Sequence, residues 1–188
     1  MIPLSLDPAR VKIVLVGRSD RLVNRMKQLQ AAGADPVTVF TDEPQAFAGD
    51  GVVIKHGLPT AADLGGKAVI WAAELSEAEA QTLEAAADEA GVLLNVEDVL
   101  PYCDFHNVAQ IRRGELLFTV STGGRSPALA SRLRRYLENR FGEEWTERIR
   151  QLGDIRAEMQ RRGQPMAEVS KQVNDLIDRE GWLICSRR

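Results

Sequence analysis

The sequence predicts an α/β protein: a parallel, doubly wound sheet over residues 1–100, a β segment over about 101–128, and a helical domain over 129–188. Three observations predict it. Short, β-branched apolar runs recur along the first hundred residues and stop at glycine or at an acidic side chain. Between them lie stretches with apolar residues at three- and four-residue steps. The two patterns alternate repeatedly, which is how a parallel sheet with crossover helices is written in sequence.

The first run, residues 11–16 (V-K-I-V-L-V), reads as a strand buried on both faces and ends at Gly17. Leu22, Val23, Met26, Leu29 and Ala32 then follow a helical period until Gly33. Residues 36–40 form the second strand, with Asp42 and Glu43 beyond its carboxyl end. Strand, turn, helix and strand within roughly thirty residues make a βαβ unit with a right-handed crossover. Residues 51–54 give a short strand, 61–64 a short helical turn and 68–72 another strand. Ser76 starts a long helix with Glu79 as capping-box partner, Gly91 ends it, and residues 92–96 return to strand. Residues 110–121 read as two strands about a turn at Arg113-Gly114. Pro127 falls at a first helical position, and helices follow to about Glu180, with breaks expected near Gly142, Gly153 and Gly163-Gln164-Pro165.

Composition narrows the function classes. Of 188 residues, 44% are hydrophobic and 27% charged, which excludes wholesale disorder. No apolar run reaches the roughly 20 residues of a bilayer span, and Met1-Ile2-Pro3-Leu4 does not read as a signal peptide, so the expected setting is cytoplasmic, away from membranes. Cys103 and Cys185 are too few and too far apart for a disulfide scaffold, and with two histidines a metal cage made by protein alone is not expected. The net charge of −3 divides into −7 for residues 1–124 and +4 for residues 125–188. Acidic groups are interspersed throughout the basic half, and its few aromatics do not alternate with basic runs, so no nucleic-acid partner is expected.

Three places carry candidate chemistry. Gly17 closes the first strand where a dinucleotide pyrophosphate meets a helix N-terminus, and Asp42 or Glu43 stands where an acid accepts ribose hydroxyls. On these residues alone, a plain turn and solvated carboxylates are the commoner reading. Asp98 lies just past the carboxyl end of a strand, where open α/β sheets place ligands and where a carboxylate serves as general acid or base. Thr122, Gly123, Gly124, Arg125 and Ser126 form a glycine loop before a helix, suited to an anionic ligand through backbone N–H groups, with Arg132, Arg134 and Arg135 nearby.

Together, Pro3-Leu4-Ser5-Leu6-Asp7, the strand into Gly17, Asn95-Val96-Glu97-Asp98 and the S-T-G-G-R-S-P-A-L-A stretch from Ser121 resemble the precorrin-2 dehydrogenase / sirohydrochlorin ferrochelatase family, the siroheme-synthase N-terminal module. The resemblance runs from Pro3 to about Leu137. It implies a Rossmann-like domain that binds NAD, a homodimer in which residues 101–128 form the dimerisation segment, and oxidation of precorrin-2 to sirohydrochlorin. Some members then insert ferrous iron. It further implies Asp98 as the catalytic aspartate, Gly17, Asp20, Arg21, Asp42 and Glu43 as cofactor contacts, and Thr122 with Gly123, Gly124, Arg125 and Ser126 beside the tetrapyrrole.

The chain departs from the family at its first loop. The family pattern V-G-G-G-x-V-A-x-R-K is here Val16-Gly17-Arg18-Ser19-Asp20-Arg21-Leu22-Val23-Asn24-Arg25, so Arg18 and Ser19 replace two glycines. Glu74-Leu75 replaces the usual T-D. The substitutions bear on NAD binding far more than on tetrapyrrole binding. They keep open an alternative reading in which the chain is a chelatase alone, or a non-catalytic tetrapyrrole binder without NAD.

Overall fold

The computed structural model describes residues 2–183; Cys185 lies outside the described residues. The chain divides into two compact units, Met1–Asn107 and Val108–Arg188.

In the first unit, the expected alternation produces five strands: β1 (Ile13–Gly17), β2 (Val37–Phe40), β3 (Val52–Lys55), β4 (Val69–Ala73) and β5 (Leu93–Val96). All neighbouring pairs are parallel, in the order β3-β2-β1-β4-β5. The fold is therefore a Rossmann-like α/β sheet. After β3 the chain returns to the far side of β1 to lay down β4. That reversal makes the β1–β4 boundary the topological switch point where such sheets bind ligands.

Side-chain alternation along β1 divides the core in two. Ile13 and Leu15 face Leu22, Met26 and Leu29 of α1 (Asp20–Ala31), together with Val37, Val39 and Phe47. Val14 and Val16 face Leu64 of α2 (Ala61–Leu64) and Leu83 and Ala87 of α3 (Glu77–Ala90). Both faces of the strand are thus covered, and for that reason its sequence is continuously apolar. Ser76 caps α3 as expected: its hydroxyl accepts from the Glu79 N–H, and the Glu79 carboxylate accepts from the Ser76 N–H. Thr60 and Asp63 form a second capping box at α2.

The first unit extends to Asn107 because residues 103–107 fold back along β5. The Asp104 N–H donates to the Leu94 carbonyl, and the Asp104 carboxylate accepts from the Leu94 N–H, each at 2.8 Å.

The second unit opens with a hairpin, β6 (Ala109–Arg113) and β7 (Leu116–Val120), paired antiparallel about the expected turn. Three helices follow: α4 (Pro127–Arg140), α5 (Glu144–Arg161) and α6 (Met166–Arg179). Pro127 stands at the first position of α4, and the Ser126 hydroxyl caps it by accepting from the Leu129 N–H. Gly153 does not break the helices; α5 runs through it. A helix-interior glycine costs only about 1 kcal/mol, and Trp145 and Met159 bury α5 on either side of it. Phe118, Phe141, Trp145 and Trp182 form a chain of ring contacts, with centroids 4.4, 5.3 and 6.3 Å apart. Among the described residues, no helix is long and apolar enough to cross a membrane.

Candidate active site

Gly17 brings the end of β1 against the end of β4. At φ 110° it adopts a conformation that other residues rarely take, and a Cβ there would lie 2.0 Å from the Ala73 carbonyl oxygen. Its immediate role is this close approach of two main chains. Two residues later, Ser19 holds φ 94° and ψ 154°, a region occupied almost only by glycine. Ser19 flanks the start of α1 without capping it, and its hydroxyl is buried with no hydrogen-bond partner. The loop main chain thus has glycine-type geometry at a serine.

Arg18 is the most heavily engaged side chain at this edge of the sheet. Its Nε and Nη2 donate to the two oxygens of Asp42 at 2.7 and 2.8 Å, a fork-to-fork pair. Nη2 also reaches Glu79 at 2.9 Å, and Nη1 donates to the Glu74 carbonyl at 2.9 Å. The guanidinium therefore links the loop after β2 to the loop after β4 and to α3, across the switch point. Asp42 is held below its ordinary carboxylate range mainly by the Arg18 hydrogen bonds. Glu79 is drawn down to about 2, first by Arg18 and then by Ser76. Glu43 remains exposed beside this cluster, its N–H donating to the Thr41 hydroxyl. Asp20 is exposed in the first turn of α1.

Arg21, an expected cofactor contact, pairs with Asp98 at 3.1 Å and Glu97 at 3.5 Å. The Asp98 hydrogen bond is the main cause that raises the Arg21 pKa. Asp98 follows β5 with φ 64°, a strained value for a non-glycine residue, and its side chain is 83% exposed. It lines an open cavity of about 310 Å³ together with Arg21, Glu74, Leu75, Glu97 and Val99. Glu74, at φ 53°, is strained as well.

A polar network around Asn95 escaped sequence reasoning. Asn95, buried in an otherwise apolar strand, donates to the Phe105 carbonyl at 2.7 Å and accepts from Asn107 at 3.4 Å. Asn107 in turn accepts from the Trp71 indole at 2.8 Å. Arg25, half-buried over the Trp71 ring, has its pKa lowered by burial. The available signal was Asn95 itself: an amide between Leu94 and Val96 must find partners once buried.

In the second unit, Gly123 and Gly124 take φ 61° and 78° in succession. The expectation of a loop with free amides is corrected here, because hydroxyls within the loop use several of them. The Gly123 N–H donates to the Ser121 hydroxyl and the Ser126 N–H to the Thr122 hydroxyl, both at 3.2 Å; the Arg125 N–H donates to the Thr122 carbonyl at 3.1 Å. Thr122 is thereby an organiser of the loop, and Arg125 is exposed.

Comparison with known proteins finds relatives of both parts of the chain. The family described as putative NAD(P)-binding covers residues 4–109, and the sirohaem biosynthesis protein central family covers residues 119–140. A siroheme synthase of Methylococcus capsulatus is 33% identical over 165 residues, 80% of this chain and 35% of that protein. A precorrin-2 dehydrogenase of Methanosarcina barkeri is 28% identical over 167 residues, 83% of this chain and 73% of that protein. The chain spans about a third of the length of the siroheme synthases it matches. A solved structure, SirC, precorrin-2 dehydrogenase, shares the fold with a TM-score of 0.74 at 23% identity, over 97% of this chain and 92% of that one. With its larger family match spanning more than half of its residues, the chain belongs to the putative NAD(P)-binding family.

Proposed function

We propose that the chain oxidises precorrin-2 to sirohydrochlorin, with NAD as the oxidant. The observation that carries this reading is Asp98: an exposed carboxylate, held in a strained backbone conformation at the end of β5, lining an open cavity. Bound NAD would supply the nicotinamide that accepts a hydride. Asp98 takes the proton released from the ring as that hydride leaves, and Arg21, at 3.1 Å, orients it.

The main chain fits a dinucleotide: β1, the glycine-type loop and α1 stand at the switch point, and Asp42 follows β2. The side chains fit once Arg18 gives up Asp42. Gly17, Asp20, Arg21, Asp42 and Glu43 are assigned to the cofactor. Thr122, Gly123, Gly124, Arg125 and Ser126 are assigned to substrate carboxylates, with Arg125 as the exposed cation of that loop. Self-association as a homodimer is supported by Leu129, Leu133 and Tyr136, which are exposed at helical spacing on α4.

The test is direct. Purified protein with precorrin-2 and NAD is expected to yield NADH and the sirohydrochlorin spectrum together. Asp98→Ala lowers the rate by about 10²-fold or more. Full activity in that variant removes Asp98 from the chemistry.

A second reading is favoured by the Arg18 clamp. In it the chain binds the tetrapyrrole without a dinucleotide, and Asp98 receives pyrrole protons while ferrous iron enters the ring as substrate. Saturable NAD binding by the wild-type protein sinks it.

A further inference from the structure

We propose that Arg18 is the chain's own occupant of the adenosine-ribose subsite, so that a dinucleotide binds by exchange, displacing the guanidinium from Asp42. The inference rests on the dinucleotide reading above and adds to it a residue that sets affinity. Both Asp42 oxygens already receive an Arg18 N–H, at 2.7 and 2.8 Å. An acidic residue after the second strand is also the group that holds a ribose hydroxyl in a dinucleotide site. The pair and the ribose therefore compete for the Asp42 carboxylate.

The other contacts of Arg18 show why it occupies this position. Glu79 on α3 and the Glu74 carbonyl after β4 hold the same guanidinium from the opposite side of the switch point. With three acceptors converging, Arg18 has a defined location between the two walls. It retains two of its three partners when Asp42 is taken, so the exchange costs one fork and leaves the rest of the clamp in place. Mutually engaged, exposed ion pairs add little to stability. Their effect here is competition for an acceptor.

Two carboxylates, those of Asp42 and Glu79, engage the one guanidinium of Arg18, and the Glu74 carbonyl adds a third acceptor. The crevice is thus not a surplus of positive charge waiting for phosphate. In that respect Arg18 differs from an arginine placed to receive a 2′-phosphate, which needs a guanidinium free of carboxylates.

Titration calorimetry of the full chain with NAD, and in parallel with NADP, tests the proposal on the wild type, Arg18→Gly and Arg18→Lys. Arg18→Gly is expected to bind NAD on the order of tenfold more tightly than wild type. Arg18→Lys is expected to fall between them, since an ammonium cannot span both Asp42 oxygens. Circular dichroism melts establish that each variant is folded; if Arg18→Gly does not fold, the Arg18→Lys comparison decides on its own. Equal or weaker NAD binding in the variants overturns the inference. So does a wild-type preference for NADP that disappears in Arg18→Gly, because the guanidinium is then a phosphate ligand. Equal, measurable binding by all three proteins removes this inference and leaves the dinucleotide reading intact. No binding of either dinucleotide by any of them removes both.

Discussion

Ser19 combines two costs that a glycine would not carry: a backbone conformation at φ 94°, ψ 154°, and a buried hydroxyl without a partner. Ser19→Gly is therefore expected to stabilise the protein by about 1 kcal/mol, the relief of strain outweighing the added freedom of the unfolded chain. Urea denaturation checks it, and a loss of stability would show that the serine side chain holds something in place. At the same scale, sequence reading located Asp98 and Asp42 but not their partners. Arg18 was visible as a departure from a glycine-rich pattern, and Arg21 as an expected cofactor contact. Which carboxylate each one finds depends on how the ends of β2, β4 and β5 are arranged around α1. Spacing along the chain does not reveal it: Arg18 and Asp42 are 24 residues apart, and Arg21 and Asp98 are 77 apart.

The elements were the most legible level. Continuous apolar runs, helical periods, capping boxes and the glycine stop of α3 each act within a few residues, so local chemistry writes them directly. Gly153 is the instructive exception, since burial of α5 at Trp145 and Met159 overrides a modest propensity penalty. Glu79 shows how an element and the site are joined: one oxygen of its carboxylate caps α3 and the other receives Arg18. Its folded pKa is about 2, against an ordinary 4.5. A depressed carboxylate contributes stability that is complete above the unfolded value and is lost as pH falls through the folded one. Wild-type stability is therefore expected to drop more steeply than that of Glu79→Gln between pH 4.5 and about 2. Denaturation midpoints across that range provide the measurement, and parallel pH profiles would contradict the assignment.

At the scale of the molecule, the first unit carries an apolar core on each face of β1, and the second buries Ile111, Trp145, Met159, Val169 and Leu176. Leu15 is fully buried in one of these cores, and Leu15→Ala is expected to cost about 2–5 kcal/mol, read as a lowered denaturation midpoint. A smaller loss would mean that the site collapses around the missing side chain. The amino-acid order by itself determined the α/β class, the strand and helix sequence, and the acid that ends β5, because periodicity and capping are properties of neighbours. Only the tertiary structure decided that β1 and β4 adjoin with Gly17 at the contact, that Arg18 spans the switch point onto Asp42, and that Arg21 turns to Asp98. Those pairings join side chains brought together by parallel strand order, and their geometry exists only once the sheet has assembled.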